Sequence, residues 1–83
     1  MDTDSQRRTI TAQVGRQIML VRTERGVLQK DLAAKTGIAQ PQLSGIEKGH
    51  RTIDIEKLAD IADVLGCSIV DLLPESARKR RLT

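Results

Sequence analysis

The segment Gln29–Lys48, QKDLAAKTGIAQPQLSGIEK, sets two short stretches of helical apolar spacing on either side of a Gly-Ile pair. Leu32 and Ala33 share one helical face, Leu43 and Ile46 share another, and Gly37 and Ile38 fill the gap between them. So short a connection forces the two helices to touch and to cross at a steep angle. The small Ala33 permits the approach, Gly37 supplies a left-handed turn residue, and Ile38 plugs the crevice between the helices. Whatever else the chain does, it must pack around this angled pair.

Helical spacing continues on both sides. Upstream, Ile10, Val14, Ile18 and Val21 form one stripe, with Thr11 or Thr9 as its N-cap and Gly26 at its end. Met19 and Leu20 fall outside that stripe: they either widen the buried face, which is the expectation in so small a domain, or stand exposed for a partner. Helix two is predicted over Gln29–Thr36 and helix three over Gln40–Lys48, stopped by Gly49. Pro41 suits the first turn of helix three, where its missing N–H would have had no intrahelical partner. Asp54 is placed to cap a fourth helix carrying Ile55, Leu58, Ile61, Ala62 and Leu65 and ending at Gly66. Ser68 and Asp71 have capping-box spacing for a short fifth helix with Ile69, Leu72 and Leu73, stopped by Pro74. The expectation is an all-α, compact five-helix domain over 11–74, between a flexible N-terminal arm (1–10) and a flexible basic tail (75–83).

Composition narrows the function. The 83 residues contain no Phe, Tyr or Trp, so aromatic base-stacking platforms of the RNA-recognition or OB type are disfavoured. A single cysteine forms no internal disulfide, and Cys67, next to Gly66, reads as a small buried hydrophobe. No Cys/His cluster has metal-ligand spacing, and His50 has no second histidine, cysteine pair or nucleophile beside it. Neither an enzyme, a cofactor nor a metal is expected. The longest apolar run, Ile18–Val21, is too short for a signal sequence or membrane span, which points to a cytoplasmic protein. Residues 1–52 hold nine Lys/Arg against five Asp/Glu, while 53–75 hold one against six. A basic first half backed by an acidic segment fits a domain with one polyanion-facing side.

The stretches VRTERGVLQKDLA, TGIAQPQLSGIEKG and IEKLADIADVLGCSIVDLL, in that order, resemble the Cro/CI-type (XRE) helix-turn-helix family of phage and bacterial transcriptional regulators. The resemblance covers about Val14 to Leu73 and implies a lambda-repressor-like DNA-binding domain. It implies a sequence-specific double-stranded DNA-binding regulator, a repressor or autoregulator, that reads a palindromic operator as a homodimer with helix three in the major groove. By position, Gln40, Pro41, Gln42, Ser44 and Gly45 match base-facing residues. Of these, Gln40 and Gln42 have the amide chemistry to pair with adenine. Gln29 matches a phosphate-contacting glutamine that also braces the first glutamine of helix three, here Gln40. Lys48, His50 and Arg51 match positions that touch the DNA backbone and fix register. Arg22 and Glu47 match an ion pair between helices one and three, and the dimer interface is expected at Ile69, Leu72 and Leu73. Leu28 and Ala39 stand where family members usually place Ser, Thr or Asn as N-caps. The alternative is an antitoxin or restriction-modification controller whose DNA binding is coupled to a toxin-like or other protein partner.

Overall fold

Local signals decide where the helices stop. The computed structural model describes residues 3–74, with side chains from Thr9 onward. Four α-helices, α1 (Thr3–Glu24), α2 (Gln29–Thr36), α3 (Gln40–Glu47) and α4 (Ile55–Leu65), precede a single 3-10 turn at Ile69–Leu72, and no strand occurs among the described residues. Gly37 closes α2 at φ 76°, its N–H donating to the Ala33 carbonyl at 2.9 Å. A side chain would strain that left-handed backbone, and without it α3 could not turn across α2. Asp54 caps α4 by accepting from the Lys57 N–H at 2.8 Å. At Leu28 and Ala39 no side chain caps the helix that follows.

Two boundaries differ from the sequence reading. α1 begins at Thr3, not near Thr11, so residues 3–10, expected as part of an arm, continue the helix. No Gly or Pro lies between Thr3 and Val14, and once a helix is nucleated each added residue gains a hydrogen bond. The fifth helix is only a 3-10 turn, held by i to i+3 bonds from Asp71 N–H to Ser68 O and from Leu73 N–H to Val70 O. Pro74 has no N–H to donate to Val70, so an α-helical turn cannot close there. The Asp71 carboxylate accepts from the Ser68 N–H at 3.1 Å, which is the return half of the expected capping box. The basic tail 75–83 lies outside the described residues.

The core is aliphatic and continuous. Ile18, Leu32, Leu43, Ile46, Ile61 and Leu72 are fully buried, and Val14, Ala33, Ile38, Leu58, Ala62 and Leu65 complete the cluster. Four apolar residues expected inside are not. Met19 and Leu20 are exposed, Leu20 by 50%, because α1 has neighbours on one side only: α3, α4 and the 3-10 turn. Ile10 is also exposed on α1, upstream of the residues that pack against the core. Ile55 is 64% exposed at the first turn of α4, and Ile53, two residues earlier, packs on the core instead.

One close approach fixes α3. Gly15 is buried in the middle of α1, and a Cβ built there would overlap the carbonyl oxygen of Ile46 and stand 3.0 Å from its carbon. Glycine inside a helix costs roughly 0.5–1 kcal/mol relative to alanine. Here it lets α1 lie against the backbone at the end of α3, so the orientation of α3 is set by main-chain contact. At the other end of the molecule, Arg25 Nη1 donates to the Leu65 carbonyl at 2.7 Å and the Gly66 carbonyl at 3.2 Å, tying α1 to the end of α4.

Candidate nucleic-acid interface

Leu43, Ile46 and Glu47 are buried and define the inward face of α3. At 100° per residue the outward line then runs through Pro41, Ser44, Gly45 and Lys48. Gln40 and Gln42 stand on opposite flanks of that line, both exposed. Their amides are therefore not side by side: Gln40 leans toward α2, and Gln42 toward the other edge. The Gln42 side chain has no hydrogen-bond partner among the described residues.

Beneath this face a chain of polar contacts runs from α1 to the start of α3. Arg22 Nε donates to Glu47 Oε2 at 2.7 Å and Arg22 Nη2 to Glu47 Oε1 at 3.0 Å, a bidentate ion pair. Arg22 Nη1 donates to the Val27 carbonyl at 2.9 Å. Gln29 Nε2 also donates to Glu47 Oε1 at 3.0 Å, and Gln40 Nε2 donates to Gln29 Oε1 at 3.3 Å. The Arg22 side chain is 14% exposed and that of Glu47 3%, so the pair is removed from solvent. The Arg22–Glu47 pair and the Gln29–Gln40 contact are both present. The bond that joins them, from Gln29 to Glu47, has no signature in the sequence, where nothing marks α2 as beginning beside the end of α3.

At the other end of α3, Arg51 lies along the helix. A Cβ on Gly45 would stand 3.1 Å from Arg51 Cδ and 3.3 Å from Cγ. Gly45 is thus half-buried beneath the Arg51 stem and is not an open point on the outward line. The His50 N–H donates to the Gly45 carbonyl at 2.8 Å, and Lys48, now the C-cap residue of α3, is exposed together with His50 and Arg51. These basic side chains gather at the end of α3. The exposed acids Glu56, Asp60 and Asp63 sit on α4, which packs on α1, α2 and the 3-10 turn. Ser44 is half-buried.

The residues expected at a dimer interface divide differently. Leu72 is fully buried in the chain's own core and offers no surface to a partner. Ile69 and Leu73 are half-buried against that core, and Val70, not singled out in the sequence, is 47% exposed. The signal for Gly15 in the sequence is a glycine inside a helical stripe, a sign of close packing.

A helix-turn-helix family profile matches residues 18–72, which span α2, α3 and most of the core. The chain belongs to the helix-turn-helix family of the XRE (Cro/CI) type. Among relatives of this XRE-type domain is the uncharacterized HTH-type transcriptional regulator y4dJ of Sinorhizobium fredii, 35% identical over 60 residues, 72% of this chain and 78% of the relative. The crystal structure of the clp gene regulator ClgR from Corynebacterium glutamicum superposes with a TM-score of 0.76 at 28% identity, covering 86% of this chain and 76% of ClgR. A SinR–SinI protein complex contains a similar chain, with a TM-score of 0.70 at 34% identity, covering 80% and 65% of the two chains. This XRE-type protein is a transcriptional regulator with a helix-turn-helix DNA-binding fold. Among its described residues no helix is long and apolar enough to cross a membrane, and no cluster of His, Cys, Asp and Glu is grouped to hold a metal ion.

Proposed function

We propose that this XRE-type protein is a cytoplasmic, non-enzymatic repressor or autoregulator that binds a palindromic operator as a homodimer, with α3 in the major groove. The observation that carries this reading is Gln40. It is exposed at the start of α3, and its amide is already oriented by Gln29 and Glu47 before any DNA arrives. A preoriented amide can pair bidentately with adenine, each such pair giving about 1–3 kcal/mol of discrimination. Gln42, Pro41 and Ser44 complete the base-facing surface, with Gly45 serving chiefly to seat Arg51. Gln29, Lys48, His50 and Arg51 take phosphate contacts, which position the domain and weaken with salt. The dimer forms through the apolar surface of Val70 with the exposed edges of Ile69 and Leu73, setting two α3 helices about 34 Å apart for successive major-groove half-sites.

Selection from random duplexes at two salt concentrations tests the reading. A two-fold-related motif that persists at the higher salt is expected; enrichment of no motif, with binding lost uniformly as salt rises, would sink it. A molecular mass in solution that stays monomeric at every concentration and on operator DNA removes the dimer.

The likeness to a chain in the SinR–SinI complex supports a second reading, in which DNA binding is coupled to a protein partner, as in an antitoxin or restriction-modification controller. In that case operator affinity changes when the partner is co-expressed, whereas the homodimeric repressor binds fully alone.

A further inference from the structure

Glu47 is the only buried charged residue among those described, and each of its oxygens is used. Oε2 accepts from Arg22 Nε, and Oε1 accepts from both Arg22 Nη2 and Gln29 Nε2. A carboxylate has no proton to give, so Gln29 can meet it only through its Nε2. That leaves Gln29 Oε1 turned toward Gln40, where an oxygen acceptor can be met only by Gln40 Nε2, at 3.3 Å. The chain of bonds therefore has a direction, imposed at its buried end. At its exposed end Gln40 keeps Oε1 as an acceptor and one hydrogen on Nε2 as a donor.

We infer that Glu47 is a specificity-determining positioning residue: from beneath the interface it sets the amide polarity of Gln29 and, through Gln29, of Gln40. The inference rests on the proposal that Gln40 reads a base. One acceptor and one donor match the adenine edge, which offers the N6 amino group and N7. With the chain reversed, Gln40 would give its oxygen to Gln29 and present two N–H donors. That pair matches guanine, whose N7 and O6 both accept. A single buried carboxylate thus chooses between two bases that it never touches.

Glu47→Gln keeps the shape and supplies the reversal. In Glu47→Gln the new side-chain amide can turn its oxygen to Arg22 and its nitrogen to Gln29 Oε1, which sends Gln29 Nε2 toward Gln40 Oε1. The first readout needs no DNA: NMR exchange protection of the side-chain amides. In the unsubstituted protein one Nε2 proton each of Gln29 and Gln40 is protected. In Glu47→Gln the Gln29 protection stays and that of Gln40 is lost. The second readout is duplex selection. The base whose preference disappears in Gln40→Ala is adenine in the unsubstituted protein, and in Glu47→Gln it moves toward guanine by about tenfold, with the other positions and the salt slope unchanged. Uniform weakening with the base preference intact overturns the inference, as does a Gln40 amide that remains protected in Glu47→Gln. Guanine at that position in the unsubstituted motif overturns it as well. Should Glu47→Gln not fold, Gln29→Met leaves the ion pair in place and cuts the chain. It should abolish Gln40 protection and flatten the adenine preference about tenfold, and full retention of both overturns the inference. If the unsubstituted protein selects no motif, the regulator reading fails, while the NMR comparison still decides whether Glu47 sets the polarity.

Discussion

Gly15 of α1 lies so close to the Ile46 backbone of α3 that a methyl group on residue 15 would overlap the Ile46 carbonyl oxygen. α3 is thereby docked on backbone, which moves less readily than a side chain. Gly15→Ala should gain up to about 1 kcal/mol in helix propensity and lose more to overpacking, typically about 1–3 kcal/mol. The expected net effect is a thermal midpoint lower by several degrees, since each kcal/mol shifts a domain of this size by about 4–8 °C. A midpoint that rises would show that α1 and α3 have room between them.

The Arg22–Glu47 pair makes a contrasting prediction. Both charges have left water, so their attraction is offset by desolvation and the net contribution of the pair is small. Removing one partner strands the other. Arg22→Leu should cost about 3–5 kcal/mol, because Glu47 then keeps only the Gln29 amide, while the double variant Arg22→Leu/Glu47→Leu should recover much of that loss. Urea unfolding of both single variants and the double closes the cycle. Additive losses would show that the two residues act independently.

Much of this architecture was legible because its causes are local. The α2 and α3 starts, the Gly37 turn and the Asp54 cap each depend on residues within one helical turn, and they fall where the sequence places them. The misreadings concern what lies opposite. Apolar spacing marks Ile10 and Ile55 as inward, but nothing in the spacing says that no element packs there. Ile69 and Leu73 are half-buried while Leu72 is sealed inside, although the spacing alone marks all three as inward. At the site, Gln29–Gln40 and Arg22–Glu47 read as two separate pairs. Only the fold brings Gln29 and Glu47 together and makes them one network.

Leu28 and Ala39 precede α2 and α3 without capping them. Each leaves N–H groups in the first turn without the side-chain acceptor that Asp54 gives α4. Both backbones are already extended, as a capping residue requires, and both side chains are exposed. Leu28→Ser and Ala39→Ser should each stabilise by about 0.5–2 kcal/mol, and Asp54→Ala should destabilise by a similar amount. Thermal unfolding of the three variants tests this. No gain from either serine would mean that the first-turn N–H groups already have water of equal value.

Burial pushes the Cys67 thiol above its ordinary value; Asp71 adds to the effect and Arg25 opposes it. A raised thiol pKa means the folded chain favours the protonated form. That contribution is complete below the unfolded thiol pKa, about 8.5, and is lost as pH rises through the higher folded value. The stability advantage of the unsubstituted protein over Cys67→Ser should therefore be constant near neutrality and shrink in alkali. At pH 7.5 alkylation by iodoacetamide should be slower in the native protein than in urea. Equal rates in the two conditions would place the thiol in open solvent.

Gly45, Arg51 and Gln40 allow positioning to be separated from reading, given the proposed docking of α3. Arg51→Ala should weaken binding to all sequences alike and reduce the salt slope by about 1, the signature of a lost phosphate contact. Gly45→Ala should act in the same direction. Its Cβ would stand 3.1 Å from Arg51 Cδ, so the arginine stem must move a few tenths of an ångström off the helix. Gln40→Ala should instead relax preference at one or two base positions by about 1–3 kcal/mol and leave the salt slope unchanged. Fluorescence anisotropy on a matched duplex and a single-base variant, at three salt concentrations, distinguishes the patterns. If Gly45→Ala alters base preference and leaves the slope alone, residue 45 faces a base and Arg51 is not what it seats.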